Sequence, residues 1–283
     1  MRKIIIHTKS EDQKGIISKY TENLSSLNIN ILNLEQHVES DDQLFFMRIE
    51  AEIFDEQLSY DSLEKKLNQT DSKFKAQSKI FDADKKQNVA ILVTKESLPL
   101  YDILIKNQTD EINSDIKLII SNHNILKPIA EQFNVNFFHI DMDQDKAKGN
   151  NELSEILKSN GIELVVLARY MQIIPSDLVE IFEGRIINIH HGFLPAFKGD
   201  HAYHKAWKRG VKIIGVTAHY VTDELDEGPI ISQDVVQVDH HHSITELINS
   251  GRNLERNVLI NAVKAHLERR VMIHGKRTII FNK

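Results

Sequence analysis

Arg185-Ile186-Ile187-Asn188-Ile189-His190-His191-Gly192-Phe193-Leu194-Pro195 is the stretch that decides the fold of this chain. Residues 185–189 read as a short buried strand, an apolar run closed off by polar neighbours. Side chains alternate along a strand, so Asn188 and His190 are expected on one side of it as it breaks into the loop holding Leu194-Pro195. Open α/β sheets place their ligands at such strand ends. An amide and an imidazole emerging together, with a carboxylate downstream in Val221-Thr222-Asp223-Glu224-Leu225-Asp226-Glu227-Gly228-Pro229, are the parts of an acyl-transfer site without a protein nucleophile.

Working outward, short apolar runs at 89–93, 116–121, 137–140, 164–168 and 185–188 alternate with helical patterns. That is the rhythm of a parallel sheet buried on both faces, and it predicts a Rossmann-like α/β domain. Ser243-Ile244-Thr245-Glu246 is a capping box ahead of an amphipathic helix carrying Leu247, Leu254, Val258, Ala262 and Leu267. Residues 270–273 and 278–281 read as a closing hairpin around Gly275. Upstream, the pattern is strand 3–7, a helix with Ile16, Ile17, Tyr20, Leu24 and Leu27, strands 30–38 and 44–53, helix 57–67 and strand 74–80. This βαββαβ order is ferredoxin-like. The polar segment Phe81-Asp82-Ala83-Asp84-Lys85-Lys86-Gln87 reads as a linker, dividing the chain into domains 1–84 and 85–283.

Composition narrows the functions. A net charge of -6 with mixed signs leaves no basic stripe, so nucleic acid is not an expected partner. The absence of cysteine excludes disulfides, a thiolate nucleophile and a Cys-type zinc site. The apolar run near the N-terminus is too short for a signal peptide, and no later run is long enough to span a bilayer, so a cytoplasmic protein with no membrane partner is expected. His240-His241-His242 is read as a polar loop and not a metal site: neighbours on an extended segment point to opposite faces, and no carboxylate completes the set.

Asn188-x-His190 with Leu194-Pro195, followed by Leu225-Asp226-x-Gly228, resembles the signature of the folate-dependent formyltransferase family, which includes glycinamide ribonucleotide formyltransferase and methionyl-tRNA formyltransferase. The doubled His190-His191, the phrase Gly210-Val211-Lys212-Ile213-Ile214-Gly215 and the block Thr217-Ala218-His219-Tyr220-Val221 are most similar to its deformylase branch. The resemblance covers nearly the whole chain. It implies hydrolysis of 10-formyltetrahydrofolate to tetrahydrofolate and formate, supplying purine synthesis and balancing the one-carbon pool, with a folate substrate and no metal or further cofactor. Asp12-x-x-Gly15-Ile16 makes the first domain similar to an ACT domain, a module that often binds amino acids and pairs through its sheets. A regulatory or assembly role, an amino-acid effector and a homo-oligomer, dimer or tetramer, are the corresponding expectations.

On this reading Asn188 donates to the oxyanion of an attacked formyl group, and His190 either stabilises that oxyanion or protonates the departing nitrogen. Asp226 holds the imidazolium, orients water or accepts a proton. His219 is expected to face the site from its strand, with a hydrogen-bonded core histidine as the alternative, whereas Asp223 and Glu224 read as a solvated turn. Met171, Gln172 and Ile173, in the segment after the 164–168 strand, resemble one wall of the family's pterin pocket, and Val221 and Thr222 begin the other. Three departures from the family pattern stand out: Gly192 where a serine is common, the acidic Asp200-His201-Ala202, and Thr94-Lys95-Glu96-Ser97 in place of a glycine-rich phosphate turn. A formyltransferase with a second substrate and a non-catalytic amino-acid sensor are the alternatives to a hydrolase.

Overall fold

The computed structural model describes residues 1–55, 57–142, 145–199 and 201–282. The chain forms two compact units, Met1–Lys86 with Glu268–Met272 and Ile279–Lys283, and Gln87–Leu267 with Ile273–Thr278.

The first unit contains β1 (Arg2–Glu11), α1 (Ile16–Ser26), β2 (Ile29–Glu39), β3 (Leu44–Ile53), α2 (Tyr60–Phe74) and β4 (Gln77–Asp82). Its antiparallel sheet has the order β2-β3-β1-β4, the ferredoxin-like arrangement. Phe45, Met47, Ile49, Ala51 and Ile53 alternate along β3 onto the face that packs with the helices. Phe46 points the other way and packs with Ile279 and Phe281. An apolar residue on both faces of β3 thus explains why C-terminal residues group with this unit instead of the second. The helix expected at 57–67 is α2, displaced towards the C-terminus: the Ser59 side chain accepts from Ser62 N to start it, and Lys75 ends it at φ 50. Phe74, expected in a strand, is its last buried residue. Buried Asp71 hid the continuation; its carboxylate accepts from Ser78 N and Oγ, each at 2.8 Å, and from the Tyr20 hydroxyl.

The second unit runs β5 (Gln87–Val93), α3 (Leu98–Gln108), β6 (Ser114–Ser121), α4 (Lys127–Gln132), β7 (Asn136–His139), α5 (Lys146–Ser159), β8 (Leu164–Leu167), α6 (Ser176–Ile181), β9 (Ile186–His190), α7 (Ala202–Arg209), β10 (Ile213–Tyr220), β11 (Ile230–Gln237) and α8 (Ile244–Leu267). The sheet order is β11-β10-β9-β8-β5-β6-β7. β5 to β9 are parallel, as expected of a Rossmann-like sheet. β10 and β11 are antiparallel, and β11 was not expected because Ser232-Gln233-Asp234 interrupts its apolar pattern. The chain leaves β5 for β6 and β7, then returns to β8 on the other side of β5. The adjacent β5 and β8 therefore form a topological switch point, bridged where Met171 N donates to Thr94 Oγ1 at 3.0 Å. The expected capping box closes in both directions: Ser243 N donates to Glu246 Oε2 at 2.7 Å and Glu246 N to Ser243 Oγ at 3.3 Å. A hairpin of β12 (Val271–His274) and β13 (Arg277–Ile280) ends the chain. Among the described residues no helix is long and apolar enough to cross a membrane.

Candidate active site

A cavity of about 290 Å³ opens beside β8, β9 and β10. It is lined by all nine residues singled out from the sequence: Asn188, His190 and Asp226, the Met171-Gln172-Ile173 segment, and His219, Val221 and Thr222. Strand register explains the convergence. Leu167 pairs with Asn188 across the parallel β8–β9 ladder, and Asn188 pairs with His219 across the antiparallel β9–β10 ladder. Side chains directly opposite each other on antiparallel strands lie on the same face, so Asn188 and His219 meet. β9 runs one turn of the pleat further than expected: His190 is still in the strand, opposite Thr217, so the amide and the imidazole stand on the sheet and not in the following loop.

His219 is buried, and its Nδ1 lies 2.8 Å from the Tyr220 carbonyl, which can only accept. The proton is therefore on Nδ1. Burial pushes the His219 pKa below the ordinary histidine value, against the pull of that carbonyl and of Asp226, so the ring is neutral and Nε2 is a bare acceptor. Asn188 Nδ2 donates to it at 3.2 Å. This fixes which end of the amide is nitrogen and leaves one N–H for the cavity.

The loop 221–229 returns over the sheet so that Asp226 reaches both histidines. Its Oδ2 lies 3.4 Å from His190 Nδ1 and accepts from Gly199 N at 2.9 Å, and its Oδ1 lies 3.8 Å from His219 Nε2. Asp226 adopts φ 58, a left-handed conformation that Asp and Asn tolerate better than most side chains. Gly228 is required nearby, since a Cβ there would stand 1.7 Å from the Tyr220 carbonyl oxygen. His190 Nε2 donates to the Phe197 carbonyl at 3.1 Å. Both of its neighbours are acceptors and would be satisfied by an imidazolium. Burial opposes this and wins: it pushes the His190 pKa down, while Asp226 and Phe197 push back and Arg169 and Lys205 add to the lowering. Gly192, a departure from the family pattern, has a steric reason here, because a Cβ would fall 2.8 Å from His190 Nε2.

The walls differ in character from this polar floor. Met171, Ile173 and Leu225 line the cavity with more than half of their surface exposed, an apolar rim suited to a flat ring. Asp223 and Glu224 are exposed, the latter 3.4 Å from Lys276. Of the Asp200-His201-Ala202 segment, Asp200 lies outside the described residues; Ala202 is buried at the start of α7. Glu96, in the segment lacking a glycine-rich turn, pairs with Arg252 at 2.9 Å. Among the described residues no group of three His, Asp or Glu side chains is arranged to hold a metal, and His242 Nδ1 is bound to Asp239 at 2.8 Å.

Sequence reasoning missed the supports. Thr217 Oγ1 donates to the Gly192 carbonyl at 2.9 Å and accepts from Leu194 N at 3.0 Å, and Gln233 Nε2 donates to the Leu194 carbonyl at 3.0 Å, which together hold the loop after β9. Glu255 is buried on α8, accepting from Tyr203 Oη at 2.8 Å and pairing with Arg169 Nε at 3.4 Å. The one signal for Glu255 was its place on the apolar stripe, four residues after Gly251 and three before Val258.

A Rossmann-like sheet carrying an amide, a histidine and an aspartate in a cavity beside β8, β9 and β10 defines a formyl transferase domain, and the family model described as Formyl transferase matches residues 87–263. The likeness extends over the whole chain. It is 42% identical over 272 residues to a formyltetrahydrofolate deformylase of Synechocystis sp., covering 95% of each, and 40% identical over 273 residues to one of Bacillus subtilis, covering 96% of this chain and 91% of the relative. The crystal structure of a formyltetrahydrofolate deformylase from Pseudomonas syringae pv. tomato superposes with a TM-score of 0.96 at 38% identity, covering 100% of this chain and 95% of that one. The chain belongs to the formyltetrahydrofolate deformylase family and is an enzyme of the hydrolase class.

Proposed function

We propose that this enzyme hydrolyses 10-formyltetrahydrofolate to tetrahydrofolate and formate in the cytoplasm, supplying formate for purine synthesis and balancing the one-carbon pool. The observation that carries the reading is the convergence of Asn188, His190 and Asp226 in one cavity with apolar walls. The pterin ring lies between the 171–173 and 221–225 segments, and the formyl group reaches the polar floor. Water attacks the formyl carbon. The free N–H of Asn188, aimed by neutral His219, donates to the oxygen that becomes negative. Asp226 orients the water and accepts a proton from it, and His190 donates its Nε2 proton to the departing folate nitrogen. Substrate displaces the Phe197 carbonyl from His190 Nε2 to make that transfer possible.

The reaction as proposed routes no step through a metal or cofactor. The Thr94–Ser97 turn favours water over a phosphorylated acceptor, because no glycine exposes backbone N–H groups there and the nearby Arg252 is taken up by Glu96. The ferredoxin-like unit supplies none of these side chains; as an ACT-like module it binds an amino-acid effector or pairs subunits into a homo-oligomer. The deciding experiment is formate release from 10-formyltetrahydrofolate by the purified protein, with and without glycinamide ribonucleotide. Formylated ribonucleotide appearing as fast as free formate would overturn the hydrolytic assignment.

A further inference from the structure

Arg169 is used by none of these steps, yet four features of its position converge. It follows β8 by two residues, in the bend that leaves the strand just past the Leu167–Asn188 pair. Its backbone is left-handed at φ 63, a conformation that costs a non-glycine residue free energy and persists where the surroundings impose it. Its side chain is only 16% exposed, and Nε pairs with the Glu255 carboxylate, which is 2% exposed. Its Nη1 is fully buried and makes no hydrogen bond. A buried guanidinium nitrogen without an acceptor is costly unless a ligand supplies one. Arg169 lines both the main cavity and a small one bounded by Glu96, Arg252 and Glu255, at the switch point where α/β sheets bind ligands.

We propose that Arg169 is the docking residue for the one-carbon anion, its Nη1 donating to a carboxylate oxygen of formate as it forms and before it leaves. The inference rests on the hydrolytic reading above. In that reaction the water oxygen bonds to the formyl carbon, and the carbon–nitrogen bond breaks with its electron pair going to the folate nitrogen. One water proton ends on that nitrogen and the other reaches solvent, so the one-carbon fragment acquires a full negative charge within the site. Burial pushes Glu255 above the ordinary glutamate range, against the pull of Arg169. The pair engages Nε and leaves Nη1 without an acceptor, and a planar guanidinium suits a planar carboxylate.

The test is direct binding of 13C-labelled formate to the full-length, tetrahydrofolate-loaded protein, followed by line broadening in a titration. Arg169→Gln should weaken formate binding tenfold or more, the worth of one charge-assisted hydrogen bond. Arg169→Lys should retain most of it, and tetrahydrofolate affinity should hardly change in either. Because Arg169→Gln strands the Glu255 carboxylate, the double variant Arg169→Gln/Glu255→Gln, which removes both charges and keeps an acceptor for Tyr203, should show the same loss in a well-folded protein. Equal formate binding in wild type and these variants, or no saturable binding by the wild type, overturns the inference. Failure of the wild type to release formate from 10-formyltetrahydrofolate overturns the hydrolytic reading itself, and this one with it.

Discussion

Asp226→Asn is the sharpest perturbation of the proposed machinery. The backbone at φ 58 accepts Asn as readily as Asp, and the amide oxygen can still accept from Gly199 N, so the loop should keep its shape. What is lost is the charge 3.4 Å from His190 Nδ1. At an effective dielectric of about 20, that separation corresponds to about 5 kcal/mol between full charges, and even half of it changes the imidazolium population by a factor of about 60. The sign is definite: removing a contribution that raises the His190 pKa lowers it further below its already depressed position. Activity that needs protonated His190 is lost as pH rises through that pKa, so the variant's alkaline fall should move to lower pH. Together with the loss of a proton acceptor, kcat should drop by a factor of about 100 or more, within the range for acid–base groups. The assay is steady-state formate release at matched folded fraction, with folate affinity measured in parallel. Asp223→Asn, in the same loop but exposed at the cavity rim, should leave kcat nearly unchanged. Near-normal turnover in Asp226→Asn, or an equal loss in both variants, would refute the reasoning.

His219→Phe removes the acceptor that orients Asn188 and should lower kcat by about tenfold to a hundredfold while leaving folate affinity within about threefold; an unchanged kcat would show that Asn188 needs no such support. Gly192→Ser restores the residue the family pattern favours but places a Cβ 2.8 Å from His190 Nε2, so formate release should fall by at least about tenfold with the melting temperature little altered. A gain in activity would refute the steric reading. His7 and His191 are both held down by burial, to about 4 and about 3, from 6.5. Their folded pKa values lie below the unfolded one, so the unfolded chain takes up protons first and stability falls as pH drops from 6.5 towards those values. At about pH 4.5 the loss should be roughly 2–3 kcal/mol per histidine, and His191→Gln should remove close to one proton from the slope of its unit's stability against pH; a slope identical to wild type is the contrary result.

The sequence alone determined the order of strands and helices in the first unit and the five parallel strands of the second, and it singled out the polar residues that line the cavity. Local signals suffice for that: continuous apolar runs mark the parallel strands, the Ser243–Glu246 box starts α8, and Asn188 and His190 are two apart on one strand, so a period of two settles their common side. Only the family resemblance set Asp226 beside His190; periodicity and spacing could not, because that contact spans 36 positions and depends on a loop folding back over the sheet, with Gly228 admitted only by a carbonyl eight residues earlier. Only the tertiary structure decided that β10 runs antiparallel, which is what seats His219 opposite Asn188 and fixes the amide. The same holds for Glu255 and Arg169. A carboxylate on an apolar helical stripe and an arginine after a buried strand carry no mark of each other in one dimension; burial, which makes each intolerable without the other, acts only once α8 has packed on the sheet and met the segment that follows β8.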